Sequence, residues 1–124
     1  MSPPQTESAP PELELPSLLE RIHGNRQAMA RLLVLLRDLL PGRIEALQQA
    51  LAAGNLQEAG RAAHALRGSL STFTTGPALQ FAGDVERACL ALDAAAANAG
   101  VNALMPRLLR IDGEVEAWLQ RESS

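Results

Sequence analysis

The chain has 124 residues, a formal net charge of −3 and one cysteine, Cys89. That length suits a single domain with one continuous core. The acidic balance excludes a general nucleic-acid binder, which needs a concentrated basic face, and the lone thiol excludes an internal disulfide or a thiolate metal site. Aromatics are confined to Phe73, Phe81 and Trp118, so the core must be built from Leu, Ala, Val and Ile, as close-packed helices are. There is no apolar run of about 18 residues and no basic-then-apolar N-terminal pattern, which points to a soluble cytoplasmic domain without membrane insertion.

Residues 1 to 14 carry Pro3, Pro4, Pro10 and Pro11 with Glu7, Glu12 and Glu14, the composition of a disordered tail or interdomain linker. Leu15, Leu18, Leu19 and Ile22 then predict a short helix, stopped by His23-Gly24-Asn25, with Asn25 as N-cap of the second helix. The next stripe is Met29, Leu33, Leu36, Leu40, Ile44, Leu47 and Leu51, at spacings of 4, 3, 4, 4, 3 and 4. Pro41-Gly42 interrupts it, and a proline inside a helix costs about 3 kcal/mol. The stripe nevertheless keeps its phase. One helix from about 26 to 53, kinked near Pro41, is expected in preference to a break into two.

Gly54-Asn55 makes the next turn and caps a helix reaching Phe73. Leu56, Ala59, Ala63, Leu66, Leu70 and Phe73 form its apolar stripe. At about 100° per residue, His64 projects roughly 130° from the centre of that stripe, toward solvent. Gly60 lies one turn before it and Gly68 one turn after. Each glycine costs about 1 kcal/mol relative to alanine in a helix interior, and together they are expected to leave the imidazole standing clear, with Gly60, close to Ala62 and Ala63, also readable as a helix-packing residue. Arg67 adds a cation on the neighbouring surface.

Thr74-Thr75-Gly76-Pro77 ends that helix, with proline pre-set for the first turn of the next. The following helix is expected to turn Ala78, Phe81, Ala82, Val85, Cys89 and Leu92 inward, with Cys89 as a small buried hydrophobe. After Asn98-Ala99-Gly100, a last helix runs to about Gln120 with Leu104, Leu108, Ile111, Val115 and Trp118 inward and Pro106 in its first turn. The predicted fold is all-α: an antiparallel up-down four-helix bundle over residues 15–122 with a short additional N-terminal helix.

His64 has a plainer reading as an ordinary exposed histidine; the flanking glycines and Arg67 favour a nucleophilic or phosphate-bearing role. His23 reads as a loop residue. Neither histidine has a cysteine or carboxylate at ligand spacing, so no metal site is expected. Ser69, Ser71, Thr72, Thr74 and Thr75 lack a nucleophile elbow and read as helix-end hydrogen-bonders. Asp84, Glu86 and Asp93 read as a solvated face. No Gly-rich phosphate loop is present, so ATP binding is not expected.

His64-Ala65-Leu66-Arg67-Gly68 resembles the pattern His-x-Leu-Lys-Gly of the histidine-containing phosphotransfer (HPt) family of bacterial and fungal phosphorelays, with Arg for Lys. Val85-Glu86 falls where that family has an apolar-Glu pair. Leu18-Leu19, Gly24-Asn25, the leucine helix through Pro41, and Ala50-Leu51-Ala52-Ala53-Gly54-Asn55 extend the resemblance over about residues 15 to 120. The family usually has a glycine ten residues after the histidine; here Thr74 stands there and the glycine arrives at 76.

The resemblance implies a phosphoryl carrier without autokinase activity, free-standing or a domain of a hybrid sensor histidine kinase and so tethered near the membrane. His64 would accept the group through Nε2 from a receiver-domain phospho-aspartate and pass it to another receiver. Arg67 would steady the phosphate, Gly68 would give steric access, and Gly60, Arg61 and Ser71 would lie in the docking face of a monomer, with apolar neighbours from the short first helix. No cofactor is implied for this chain; Mg²⁺ belongs to the partner receiver. The alternative is a helical adaptor that docks a receiver or kinase domain without carrying phosphate. A His-dependent hydrolase ranks third, since no second catalytic group or oxyanion hole is readable.

Overall fold

The computed structural model describes residues 10–123. It contains α1 (Leu15–Arg21), α2 (Arg26–Ala52), α3 (Leu56–Ser71), α4 (Pro77–Leu90) and α5 (Ala94–Ser123), with no strand among the described residues. α2 packs on α3, α3 on α4 and α4 on α5, while α5 closes back onto α2. That ring of neighbours, joined by short turns, is the expected up-down bundle. The predicted stripes form its interior: Met29, Leu33, Leu36, Leu40 and Leu47 of α2 meet Ala59, Ala63, Leu66 and Leu70 of α3, all buried. No helix among the described residues is long and apolar enough to cross a membrane.

The caps fall where the sequence places them. Asn25 Oδ1 accepts from the Ala28 N–H at 3.0 Å and Asn55 Oδ1 from the Glu58 N–H at 3.0 Å, each satisfying a donor that the first helical turn leaves unpaired. α2 runs unbroken through Pro41. Pro41 and Gly42 lie on its exposed side, where water can replace the missing donor while Leu40 and Leu47 stay buried.

Three expectations are corrected. First, α5 begins at Ala94, so Pro106 lies deep inside it rather than in its first turn. Asp93 Oδ1 caps the Ala96 N–H at 3.0 Å, and the alanine run after it has high helix propensity. Gly100 is a packing residue: a Cβ there would come within 2.8 Å of Val85 Cγ2. Second, Leu92 does not point into the core; it follows α4 in a left-handed conformation, φ 57°, and is 73% exposed.

The third correction concerns the predicted tail, whose residues 1–9 lie outside the described residues. Glu12 to Glu14 are packed, and the exposed Pro10 is tied down by its carbonyl, which accepts from Arg110 Nη2 at 2.9 Å. Leu13 is buried in the core, and the Glu12 carboxylate is buried against Arg107 Nη1 and Arg110 Nη1, each at 3.0 Å. Glu114 accepts from the Glu12 and Leu13 N–H groups at 2.7 and 2.9 Å. Glu14 Oε2 accepts from the Thr75 N–H and hydroxyl at 2.9 and 2.8 Å. The segment therefore clamps α5 to the turn that ends α3.

Candidate functional site

The middle of α3 faces α4, and the short turn between them decides what meets what. His64 is exposed, with 66% of its side chain open to solvent. Directly across, Glu86 on α4 is drawn under the ring. Its Oε2 stands 2.8 Å from His64 Nδ1 and its Oε1 accepts from Arg67 Nε at 2.9 Å. A carboxylate carries only acceptors, so the 2.8 Å approach puts the imidazole proton on Nδ1. In the neutral ring the lone pair is then on Nε2, the nitrogen away from the protein. Arg67 Nη2 lies 3.4 Å from Nδ1; with that nitrogen already donating, this is an approach of charge to the ring rather than a second bond.

Burial alone would push the Glu86 carboxyl up. The hydrogen bonds from His64 and Arg67, together with the Arg67 charge, outweigh it and hold the group below the ordinary carboxylate range. A depressed acid contributes its stabilisation above its unfolded value and loses it only as pH falls through the lower folded one, so the Glu86 contacts are intact at neutral pH. Arg67 reaches Glu86 by running its stem beside Gly83, where a Cβ would lie 3.5 Å from Arg67 Cδ.

The two glycines flanking His64 part company. Gly68 is exposed, and a Cβ built on it meets nothing within 4 Å. Gly60, expected to clear space around the ring, is buried, and its Cβ would lie 3.4 Å from Cys89 Cβ. It brings α3 close to α4 and floors a groove that ends at His64. Arg61 and Ser71 are exposed, Arg61 paired with Glu58 at 2.9 Å and the Ser71 hydroxyl donating to the Gly68 carbonyl at 2.9 Å. Ser69 donates to the Ala65 carbonyl at 3.1 Å, so the two serines of the hydroxyl run serve the helix, while Thr74 Oγ1 accepts from the Gly76 N–H at 2.9 Å in the turn. Cys89 is buried, with its thiol pushed up by burial.

Glu86 is the residue that sequence reasoning misread. It is not part of a solvated face with Asp84 and Asp93: Asp84 pairs with Arg87 and Asp93 caps α5, whereas 19% of the Glu86 side chain is exposed. The register could have found it. From Thr74, the middle of the turn 72–76 between the two antiparallel helices, His64 stands ten residues back and Glu86 twelve residues on, which brings them nearly opposite each other.

The described residues form a bundle of antiparallel helices that holds an exposed imidazole by one nitrogen, with a cation alongside and the other nitrogen facing solvent. The match to the Hpt domain family model over residues 31–121 shows that this chain belongs to the histidine-containing phosphotransfer family. The family serves phosphotransfer in two-component signalling, its members being phosphocarriers that interact with receiver domains. No curated protein and no solved structure matches the chain.

Proposed function

We propose that this chain is a phosphorelay intermediate that takes a phosphoryl group onto His64 Nε2 from the phospho-aspartate of one receiver domain and yields it to the aspartate of another. The observation that carries the reading is the 2.8 Å contact between His64 Nδ1 and Glu86 on a ring otherwise open to solvent. In the forward step the Nε2 lone pair attacks phosphorus, an N–P bond forms, and the acyl-phosphate P–O bond breaks to leave the receiver's carboxylate. The ring becomes cationic as it gives up the lone pair. Glu86 keeps the Nδ1 proton and opposes that charge, the orienting role a carboxylate plays toward histidine in catalytic triads. The return step is the same path in reverse.

The remaining roles rest on position. Arg67, half exposed beside the ring, offsets phosphate charge; Gly68 leaves the approach to Nε2 open; Arg61 and Ser71 lie on the face that a receiver covers. Gly60 serves by letting the groove beside His64 form. No cofactor is bound by this chain, and Mg²⁺ comes with the receiver. The carrier acts as a cytoplasmic monomer without autokinase activity, whether alone or joined to a sensor kinase.

The experiment is incubation with receiver domains charged by acetyl phosphate and Mg²⁺. Label moving to this chain supports the carrier; stable binding without transfer supports an adaptor. Arg67 gives a graded test. A charge-assisted interaction at a half-exposed site is worth about 1–2 kcal/mol, so Arg67→Ala should slow transfer roughly tenfold without stopping it, and Arg67→Lys should stay within about threefold of the parent. An unchanged rate in Arg67→Ala would reduce Arg67 to a solubilising residue.

A further inference from the structure

Two of the most exposed large hydrophobic residues, Leu90 at 74% and Leu92 at 73%, stand together at the end of α4. They line one side of a groove of about 580 Å³ between α3 and α4, with Leu56 at the same end and His64 and Glu86 at the other. The turn at Leu92 is costly as built. The Leu92 N–H returns to the Cys89 carbonyl at 3.0 Å and the Asp93 N–H to the Ala88 carbonyl at 2.9 Å, a helix-ending motif that requires a left-handed residue. The end of α2 uses the same motif, Gly54 N–H to Leu51 and Asn55 N–H to Ala50, and there the left-handed residue is glycine, φ 74°. At Leu92, φ 57°, the chain accepts both backbone strain and an apolar side chain in water. Neither serves the bundle core.

We propose that Leu90 and Leu92 form an apolar docking ledge for the receiver domain that exchanges phosphate with His64, and that they set how tightly a given receiver binds. The inference rests on the phosphocarrier reading. The occupant is set by reach. A partner whose phospho-aspartate meets Nε2 must centre on His64. An interface of standard size buries about 800 Å² per partner, a disc roughly 16 Å in radius. Leu56 lies two turns along α3 from His64, about 12 Å, so the disc reaches the end of the groove where the leucines stand. The receiver that fits presents a flat apolar patch beside its acidic phosphorylation pocket.

The test pairs Leu90→Ser with Leu92→Asn, since asparagine accepts the left-handed conformation. Transfer from acetyl-phosphate-charged receiver domains of the source genome is measured as a function of receiver concentration, with Leu109→Ser as a control. Leu109 is 67% exposed on α5, the helix diagonally across from α3. KM should rise about tenfold for each leucine removed, with the saturating rate within twofold and the melting temperature no lower than the parent's. Leu109→Ser should leave KM unchanged. If the double variant melts lower, Leu90→Ser alone, on ordinary helical backbone, carries the test and should raise KM about tenfold. An unchanged KM with efficient labelling of the parent overturns the ledge and leaves the carrier reading standing. A rise of equal size in Leu109→Ser overturns it too. Absence of label in the parent from every receiver overturns the carrier reading and the ledge with it.

Discussion

His64→Gln is expected to lose phosphoryl acceptance entirely while keeping the melting temperature and helical circular dichroism of the parent. The side chain is 66% exposed and contributes nothing to the core, and glutamine is a better helix former than histidine. Its amide can still donate to Glu86, so the ion-pair geometry on α4 has no reason to collapse. What disappears is the nitrogen lone pair. In the parent, the label should be acid-labile and alkali-stable, as an N–P bond is and a serine or threonine ester is not. Label retained in His64→Gln would mean that another residue carries the phosphate.

Gly68→Gln is expected to move stability and activity in opposite directions. A glycine in the interior of α3 costs about 0.5–1 kcal/mol against a good helix former. Nothing lies within 4 Å of a Cβ built there, so the gain is not offset by a clash, and the variant should melt a few degrees higher. Side chains on a helix lean toward its N-terminus, and residues four apart stack. A glutamine at 68 therefore leans over His64, across the approach to Nε2. Transfer should fall at least tenfold, with Gly68→Ala between the two. Such an exchange of activity for stability is common where function needs a locally suboptimal residue. Parental transfer in Gly68→Gln would show that the open space at Gly68 has no part in access.

Much of the bundle was legible because leucine spacing reports burial directly. The α2 and α3 stripes came out of the sequence with their members and phase intact, and with both asparagine caps. Two of the misses depended on a neighbour distant along the chain. Gly100 looks like a turn until Val85 is placed against it, at which point it becomes the residue that lets α4 and α5 touch. Pro10 to Glu14 has the composition of a linker, and only Arg107, Arg110 and Thr75, as partners of its acidic groups, and Glu114, as acceptor of its backbone N–H groups, make it a clamp.

The candidate site was half legible. His64, Arg67 and Gly68 lie within five residues, so helical periodicity alone placed them on the outer face of α3. Glu86 required the register of α3 against α4, which the turn centred on Thr74 supplies but which residue type does not. Gly60 shows the converse. Its spacing from His64 suggested clearance, and its packing against Cys89 shows that one turn before the histidine the helix face already rotates into the α4 contact. The α4–α5 turn was missed because propensity favours Gly or Asn at a left-handed position, and Leu92 departs from that rule.

If Glu86 holds the ring by Nδ1, Nε2 alone receives phosphate, and ring nitrogen NMR of the phosphorylated chain reads that out. The parent, charged by a phosphorylated receiver and recorded by ¹⁵N and ³¹P spectroscopy, should show one phosphohistidine with phosphorus coupled to Nε2 and a proton retained on Nδ1. Phosphorus on Nδ1 of His64 would mean that Glu86 does not keep that nitrogen, and phosphorus on any other residue would mean that His64 is not the acceptor.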